Sequence, residues 1–328
     1  MNARVLGSSG IRVSQLGYGC MGLTWAYGSA MHAHDERSGI AVLHQAAELG
    51  ITLFDTADMY GPFTNEELVG KAFADRRDRV VIATKCGLIV QGDRTKYDMR
   101  RNATPQHIRA ACEASLQRLR IDVIDLYQLH RVDPDVPVEE SVGAMADLVK
   151  DGKVRAIGLS EVDVATLDRA TRVHPIATLQ SEYSLFERNV EEEILPWCKR
   201  HDVALLPYSP LGRGMLTGRL RRSDIADGDF RATLPRYHKQ AFEHNRRIVE
   251  RIIDVASRLG ATAGQVALAW LLSKAQNIVP IPGTTRLEHL RENVAATKIR
   301  LSAADVDELD ALPAPMGDRY PTANAPRR

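Results

Sequence analysis

Residues 51–73 read ITLFDTADMYGPFTNEELVGKAF. A short apolar run at its start predicts a strand, Thr52–Asp55, and the amphipathic stretch that follows predicts a helix beginning near Asn65. A strand followed by a helix is the repeating unit of a parallel sheet. Asp55 would then stand at the carboxyl end of the strand, and Tyr60 would lie in the loop that joins strand to helix.

The same β-then-α order recurs along the whole chain. The predicted strands are Gln15–Gly19, Thr52–Asp55, Val80–Lys85, Val123–Leu129, Val154–Ser160, Ala177–Gln180, Val203–Tyr208 and Ile278–Pro282. No linker or change in composition separates these units, so we predict an α/β fold in which one domain, residues 1–328, forms a closed (β/α)8 TIM barrel. The segments RVL and IRV around GSSG predict an N-terminal β-hairpin.

Charge and cysteine content narrow the classes of function. Among 328 residues, 43 are basic and 42 acidic, which gives a net charge of +1 and no electrostatic reason to expect nucleic acid or a membrane as partner. No apolar stretch approaches the ~20 residues that a membrane-spanning helix needs. The four cysteines are widely spaced, so we expect reduced thiols, a cytoplasmic location and no metal site. Nothing in the sequence requires more than a monomer.

The N-terminal stretch QLGYGCMG, residues 15–22, contains Gly17-x-Gly19-x-x-Gly22, the spacing of the Rossmann dinucleotide fingerprint. That fingerprint requires a helix that opens on its last glycine. The residues that follow have no helical period, and the first convincing helix begins near Asp35. We therefore expect a cofactor to be bound in some other way.

Three predicted strands end at, or lead into, a polar side chain, namely Asp55, Lys85 and His130. In a (β/α)8 barrel the chemistry takes place at these carboxyl ends, and Tyr60 follows Asp55 closely enough to reach the same mouth. Each residue also has a structural interpretation: a capping aspartate, an ion-paired lysine, a loop tyrosine, a core histidine. Purely structural roles explain the four residues together less well, because burying a charged lysine is unfavourable unless it is paired and has a function.

These four residue types suit proton delivery to an oxygen atom. A tyrosine has an ordinary pKa near ~10, and a nearby lysine ammonium is expected to lower that pKa while a carboxylate holds the lysine in place. A histidine can donate a hydrogen bond to a carbonyl oxygen. If a hydride reaches the carbonyl carbon at the same time, the reaction is carbonyl reduction, and a nicotinamide must lie nearby.

The chain resembles the aldo-keto reductases. The motifs that carry the resemblance span nearly the whole sequence: FDTADMYGPFTNEELVGKAF, IATKCG, LYQLHRVD, KVRAIGLSE, LQSEYSLF, LLPYSPLGRGMLTG and IPGTTRLEHLRENV. The resemblance implies reduction of aldehydes or ketones with NADPH, which leaves NADP+. It makes Tyr60 the general acid, tuned by Asp55 and Lys85, with His130 orienting the carbonyl.

The resemblance also implies a set of cofactor contacts. At the nicotinamide end, Ser160 and Gln180 would hold the carboxamide, Tyr208 would stack on the ring, and Gly22 would pass beside it. Many members have asparagine where this chain has Glu161, which can accept a hydrogen bond from the carboxamide but cannot donate one. The contacts expected along the rest of the cofactor are Ser209, Pro210, Leu211 and Gly212 at the pyrophosphate, Gly283, Thr284 and Arg286 at the 2′-phosphate and ribose, and Glu292 and Asn293 at the adenine. Because Gly283 and His289 replace a lysine and an arginine of many members, Arg286 becomes the main phosphate ligand.

Two other functions fit the sequence less well. A nucleotide-binding regulatory subunit would not need all four residues of the mouth. A metal-dependent hydrolase barrel would need more ligands than His32-x-His34-Asp35, which lies in a polar loop. Trp25, Tyr27, Tyr97 and Met99 fit two interpretations equally well, lining of the substrate pocket or packing within loops. We expect the long segment Leu211–Arg236 to be functional or mobile and the tail from residue 313 to be loosely held.

Overall fold

The computed structural model describes residues 1–25, 35–91, 99–226 and 228–321. Within these ranges, one sheet contains seven parallel strands in the order β3-β4-β5-β8-β9-β10-β11. Its strands are β3 (Tyr18–Gly19), β4 (Leu53–Asp55), β5 (Val81–Cys86), β8 (Ile124–Leu129), β9 (Val154–Ser160), β10 (Thr178–Glu182) and β11 (Ala204–Tyr208). Apart from the first, which is shorter, they fall within two residues of the predicted strands. The barrel architecture predicted from the sequence is confirmed.

Helices connect the strands and surround the sheet. They are α1 (Glu36–Glu48), α2 (Thr64–Phe73), α3 (Pro105–Leu119), α4 (Val138–Lys150), α5 (Val164–Thr171), α6 (Ile194–Arg200), α7 (Lys239–Arg258), α8 (Ala263–Lys274), α9 (Leu287–Ala295) and α10 (Ala303–Asp310). Local sequence explains where several begin. The side chain of Thr104 accepts a hydrogen bond from the backbone N–H of His107, with Pro105 at the first helical position. Asp35 caps α1 in the same way.

The prediction of an eighth strand at Ile278–Pro282 is wrong in detail, because only an isolated bridge pairs this segment with the sheet. The segment nevertheless lies against β11. The backbone N–H of Val279 donates to the carbonyl of Leu205 at 2.8 Å, and that of Ile281 donates to Pro207 at 3.1 Å. Its extended backbone therefore occupies the place of the missing strand.

Prolines explain why the ladder is incomplete on the other side. The N–H of Gly17 donates to the carbonyl of Pro280 at 2.9 Å, and that of Gly19 donates to Pro282 at 3.3 Å. Pro280 and Pro282 have no N–H to return these bonds. The segment thus closes the barrel between β11 and β3 with hydrogen bonds in only one direction at this seam.

The predicted N-terminal hairpin is confirmed as β1 (Ala3–Val5) paired antiparallel with β2 (Arg12–Ser14). Val13 of β2, together with Leu6 and Ile11 between the two strands, belongs to the same buried cluster as the barrel interior, so the hairpin plugs the amino-terminal end of the barrel. Arg4 of this hairpin donates to the carbonyls of Leu272 and Ala275, near the end of α8, at 2.9 and 3.1 Å.

Side chains inside the barrel form layers, because alternate residues of a strand face the same side. The apolar layer includes Leu53, Ala83, Leu126, Ala156, Leu206 and Val279. Two residues further along β4, β5 and β8, the inward positions are Asp55, Lys85 and Gln128. Along each of these strands, successive inward-facing residues therefore change from apolar in the core to polar at the mouth.

The structure describes parts of the long segment after β11, of the loop after β5 and of the C-terminal tail. The segment after β11 contains 3₁₀ turns, among them Gly212–Thr217 and Phe230–Thr233. The loop after β5 contains an antiparallel pair, β6 (Leu88–Val90) and β7 (Met99–Arg101). The expectation of a loosely held tail is wrong for residues 316–320, which are docked on the barrel by hydrogen bonds described below.

Other expectations concern residues outside the described ranges or general properties. Tyr27, Tyr97, His32 and His34 lie outside the described residues. All four cysteines are buried and free. None of the helices within the described ranges combines the length and the apolar surface that crossing a lipid bilayer requires.

The seam between β3 and the segment that replaces the eighth strand leads to the first prediction. A β-carbon at Gly19 would lie 2.7 Å from the carbonyl oxygen of Ile281, whereas one at Gly22 would meet no atom within 4 Å. We expect Gly19→Ala to lower the free energy of unfolding by about 1–3 kcal/mol. Gly22→Ala is the matched control and should change the free energy by less than about 0.5 kcal/mol. Urea unfolding of both variants tests this; equal values would show that the seam is not tight.

Candidate active site

The ammonium of Lys85 lies at the centre of the polar layer. Its side chain is fully buried, and its Nζ atom lies 2.5 Å from Asp55 Oδ1, 2.7 Å from the carbonyl oxygen of Thr56 and 3.4 Å from Tyr60 Oη. An ammonium has three donors, so these three acceptors satisfy it completely. The structure therefore brings Asp55, Tyr60 and Lys85 together, as the sequence predicts.

Asp55 is held from its other side by two amides. Its Oδ2 atom accepts hydrogen bonds from Gln128 Nε2 at 3.2 Å and Gln180 Nε2 at 2.9 Å. Gln128 lies on β8, Gln180 on β10 and Lys85 on β5, so the carboxylate of Asp55 on β4 contacts side chains from three other strands. Because both oxygens of Asp55 accept hydrogen bonds, the side chain is fixed opposite Lys85.

Burial and neighbouring charges shift the pKa values of Lys85 and Tyr60 in opposite directions. Burial lowers the pKa of Lys85, but the neighbouring Asp55 and Tyr60 outweigh it and the net pKa is raised, so Lys85 stays charged. Burial raises the pKa of Tyr60 above its ordinary value, and the opposing effect of Lys85 is smaller. The expectation of a lowered tyrosine pKa is thus wrong, because it counted the ammonium and not the loss of water. Tyr60 is a protonated donor at neutral pH.

His130 lies at the edge of the same mouth. Its backbone N–H donates to the carbonyl of Cys86 at 2.8 Å, which fixes the end of β8 against β5. Its ring meets the ring of Tyr60 edge to face, with centroids 5.9 Å apart. Among the residues that the structure describes, the buried Nδ1 atom has no hydrogen-bond partner. Burial, together with Lys85 and Arg131, lowers the pKa of His130 well below its usual value, so the ring is neutral.

An apolar wall packs against the ring of Tyr60. The buried cluster here consists of Trp25, Ala57, Met59, Tyr60 and Leu88. The ring of Trp25 lies 6.2 Å from that of Tyr60, which favours pocket lining over loop packing for Trp25. Met99 is exposed and lies outside this cluster.

The mouth therefore holds a protonated phenol, a buried ammonium and a neutral imidazole beside an apolar surface. In the described part of the chain, no group accepts the hydrogen of Tyr60, whose oxygen accepts from Lys85. That hydrogen is available to a molecule in the mouth. In the same ranges, no cluster of histidine, cysteine and carboxylate side chains is arranged to hold a metal ion.

Comparison with known proteins agrees with this chemistry. The model of the aldo/keto reductase family matches residues 15–314. The chain belongs to the aldo/keto reductase family. A similar relative is a probable aldo-keto reductase 1 of Glycine max, 44% identical over 310 residues, which cover 94% of this chain and 88% of that protein.

Solved structures of the family share the fold. The glycerol dehydrogenase of Gluconobacter oxydans superposes with a TM-score of 0.86 at 30% identity and 94% coverage of both chains. An aldo-keto reductase of Klebsiella pneumoniae, solved in complex with NADPH, gives a TM-score of 0.74 at 31% identity, with 98% of this chain and 99% of that chain covered.

The residues predicted for the nicotinamide end line the rim of the mouth. Ser160 Oγ accepts a hydrogen bond from Arg131 Nη1 at 2.9 Å. Glu161 follows β9 with a positive φ of 57°, a conformation that costs a non-glycine residue ~1–2 kcal/mol. Its carboxylate accepts from the backbone N–H of Glu182 at 2.9 Å and from Arg319 at 2.6 Å. Glu161 is therefore already engaged with protein groups.

The turn after β11 has the tight backbone that a close approach to a cofactor requires. Ser209 and Gly212 have φ values of 48° and 53°, and the N–H of Gly212 donates to the carbonyl of Ser209 at 2.8 Å. Pro210 is buried inside this turn, and Leu211 packs against the core beneath it. The hydroxyl of Tyr208, which begins the turn, contacts Tyr320 at 3.2 Å.

The residues predicted for the phosphate and adenine end lie just before α9 and within it. Thr284 Oγ1 accepts from the backbone N–H of Arg286 at 3.2 Å, while the exposed guanidinium of Arg286 pairs with Glu288. Glu292 is engaged elsewhere in the fold, because it accepts from Thr262 at 2.5 Å and pairs with Arg219 at 2.7 Å. Gly283 is exposed just before the helix, and Asn293 is buried within it.

Four polar residues of this region escape the sequence prediction: Gln128, Arg131, Glu182 and Arg319. A signal existed for Gln128 and Glu182, since each is a polar residue two positions from a predicted site residue on an inward strand face. Arg131 adjoins His130, but its contact with Ser160 depends on the neighbouring strand. Arg319 carried no signal, because its partners lie more than 100 positions away in the chain.

Proposed function

We propose that the chain is an NADPH-dependent reductase of aldehydes or ketones, with Tyr60 as the general acid. One observation carries the proposal: the hydroxyl of Tyr60 is 3.4 Å from the buried ammonium of Lys85, and no group of the described residues accepts the hydrogen of that hydroxyl. His130 and the apolar wall around Trp25 complete a site that suits a small carbonyl compound with an apolar substituent.

The described residues fit NADPH as the reductant. Helix α9 begins without a side-chain cap, so its first amides and the adjacent Arg286 are suited to a phosphate dianion. The Klebsiella pneumoniae relative, solved with NADPH, supports this assignment. Ser160, Gln180 and Tyr208 would hold the nicotinamide, and Ser209–Gly212 would follow the pyrophosphate.

The reaction balances with one hydride and one proton. When bound, NADPH supplies the hydride to the carbonyl carbon. Tyr60 gives its proton to the carbonyl oxygen, which completes the alcohol and leaves a phenolate. The phenolate recovers a proton from solvent before the next turnover.

Lys85 and His130 assist the proton transfer in different ways. The ammonium of Lys85 favours the phenolate that forms during the step, because an opposite charge at this distance stabilises the ionised group. Asp55 keeps Lys85 in place and charged. His130 is neutral and has one N–H to donate, so it would orient the substrate oxygen toward Tyr60 rather than supply the proton itself.

The general-acid role predicts the effect of removing one hydroxyl group. Tyr60→Phe should lower the rate of carbonyl reduction by roughly 10²–10⁴-fold, because general acid catalysis is lost. The affinity for NADPH should stay within about twofold of wild type, since the ring remains. A panel of aromatic and short aliphatic aldehydes, assayed by loss of NADPH absorbance, measures this.

Tyr127→Phe is the matched control for that variant. Tyr127 is fully buried and its hydroxyl donates to the carbonyl of Ile108 at 3.2 Å, away from the mouth. This variant should reduce carbonyls at a rate close to wild type. Unchanged turnover in Tyr60→Phe would remove Tyr60 from the mechanism. Tight NADPH binding without turnover in wild type would favour a nucleotide-binding regulatory role.

The pKa shifts predict a flat pH profile for reduction. Tyr60 acts while protonated, and its pKa is raised, so the acid form persists as the pH rises. His130 acts while neutral, and its pKa is lowered, so it gains no proton near pH 7. Single-turnover hydride transfer should therefore vary little between about pH 6.5 and about pH 9. A titration step centred near neutral pH, present in wild type, would contradict these protonation states.

A further inference from the structure

Two buried carboxylates stand side by side at the rim of the mouth. Glu161 follows the last residue of β9, and Glu182 is the last residue of β10. The side chains are 6% and 3% exposed. Burial would raise the pKa of Glu161, yet Arg319 and Arg131 hold it at about 2. Both strand ends therefore need a cation nearby.

Arg319 supplies that cation from the far end of the chain. Its Nε atom lies 2.6 Å from Glu182 Oε2, and its Nη2 atom lies 2.6 Å from Glu161 Oε1. The same Nη2 atom donates to the hydroxyl of Tyr208, the last residue of β11. One guanidinium thus joins the carboxyl ends of three consecutive strands.

The segment that carries Arg319 is docked at defined points. We call Met316–Tyr320 the C-terminal strap. Asn245, buried in α7, accepts from the backbone N–H of Met316 at 2.7 Å and donates to its carbonyl at 3.1 Å. Arg236 donates to the carbonyl of Gly317 at 3.2 Å. These bonds fix the strap just before the residue that enters the mouth.

A second arginine, Arg213, also pairs with the carboxylate of Glu182. Arg213 Nη2 lies 3.0 Å from Glu182 Oε2 and 3.0 Å from the hydroxyl of Tyr320. Both guanidinium groups contact the ring of Tyr320, with the Cζ atom of each 5.1 Å from the ring centroid. Glu182 therefore retains a cationic partner without Arg319, whereas the hydroxyl of Tyr208 would lose its only charged donor in the described residues.

We propose that Arg319 is a positioning residue for the nicotinamide pocket, the site formed by Ser160, Gln180 and Tyr208. The inference rests on the function proposed above. Arg319 would act through the hydroxyl of Tyr208 and the carboxylate of Glu161, setting the plane of the Tyr208 ring and the path of the backbone after Ser160. The strap is then part of the active site, although it lies outside the eight β/α units.

The geometry favours this role over that of a simple ion pair. A stabilising pair would need only a carboxylate, and Glu182 already has Arg213. Arg319 instead uses one nitrogen atom for both Glu161 and Tyr208. Both residues adjoin a turn with a positive φ, at Glu161 itself and at Ser209. Such conformations persist where surrounding contacts hold them.

The experiment compares two ligands that share the adenine, its ribose, the 2′-phosphate and the first 5′-phosphate. NADPH also carries the second phosphate, the second ribose and the nicotinamide, which 2′,5′-ADP lacks. Calorimetry gives the affinity of wild type, Arg319→Leu and Arg319→Lys for both, and thermal unfolding confirms that each variant is folded. Arg77→Leu is the matched control. Its guanidinium pairs with buried Asp125 at 2.7 Å, and Asp125, like Glu182, keeps a second arginine, Arg155.

We expect Arg319→Leu to weaken NADPH binding by about tenfold, the usual effect of losing a hydrogen bond to a charged group. Its affinity for 2′,5′-ADP should stay within about twofold of wild type. Arg319→Lys should recover part of the lost NADPH affinity, because lysine keeps the positive charge but lacks the several planar N–H donors of the guanidinium. Arg77→Leu should leave both affinities unchanged. Equal weakening of both ligands by Arg319→Leu, or of neither, would overturn the proposal.

A double-mutant cycle tests whether Arg319 acts through Tyr208 and uses only conservative substitutions. Tyr208→Phe keeps the ring and removes the hydroxyl that Arg319 contacts. Arg319→Lys should lower the rate of hydride transfer less in the Tyr208→Phe background than in wild type, because the shared contact is already lost. Additive effects would overturn the role through Tyr208.

The wild-type chain separates this inference from the proposed function. If wild type binds NADPH and reduces a carbonyl while the Arg319 variants behave like wild type, only the inference fails. If wild type neither binds NADPH nor reduces a carbonyl, the proposed function fails and the inference fails with it.

Discussion

The buried ammonium of Lys85 is the constraint on which the site depends. A lone charge at this depth would be strongly unfavourable, so the fold must supply acceptors for all three of its donors. Asp55, Thr56 and Tyr60 do so, and Asp55 is in turn held by amides from β8 and β10. Only a closed barrel brings these strand ends to one point. Architecture and chemistry are therefore linked at one side chain.

The architecture was predictable because its signals are local. Each strand and the helix after it are encoded by consecutive residues, as in the stretch from Thr52 to Phe73. The helix cap at Thr104 likewise depends only on residues within three positions. The eighth strand was predicted from apolar character alone. Pro280 and Pro282 removed the donors that a regular ladder needs, so the segment seals the barrel without forming a strand. The tail from residue 313 is expected to be loosely held. The docking of Arg319 could not be foreseen, because its acceptors, Glu161 and Glu182, lie at the ends of strands that only the fold brings near.

The site was predictable in its members and less so in its energetics. Asp55, Tyr60, Lys85 and His130 could be chosen because strand ends converge in a parallel barrel. The direction of the Tyr60 pKa could not, since it depends on how completely the folded chain excludes water from the hydroxyl. Gln128 was missed although it shares a strand face with His130. The structure thus adds a second layer of contacts that holds the predicted residues in place.

The coupling between the ammonium and the phenol can be measured on the free protein. In protein labelled with ¹³C at the tyrosine ζ carbon, the signal of Tyr60 is the one absent from Tyr60→Phe. Its titration in wild type and in Lys85→Met reports the tyrosine pKa directly. We predict a pKa above the ordinary value of about 10 in wild type and a higher pKa in Lys85→Met, because the variant loses the charge that favours the phenolate. The same pKa in both proteins, or a wild-type pKa near neutral, would contradict this coupling.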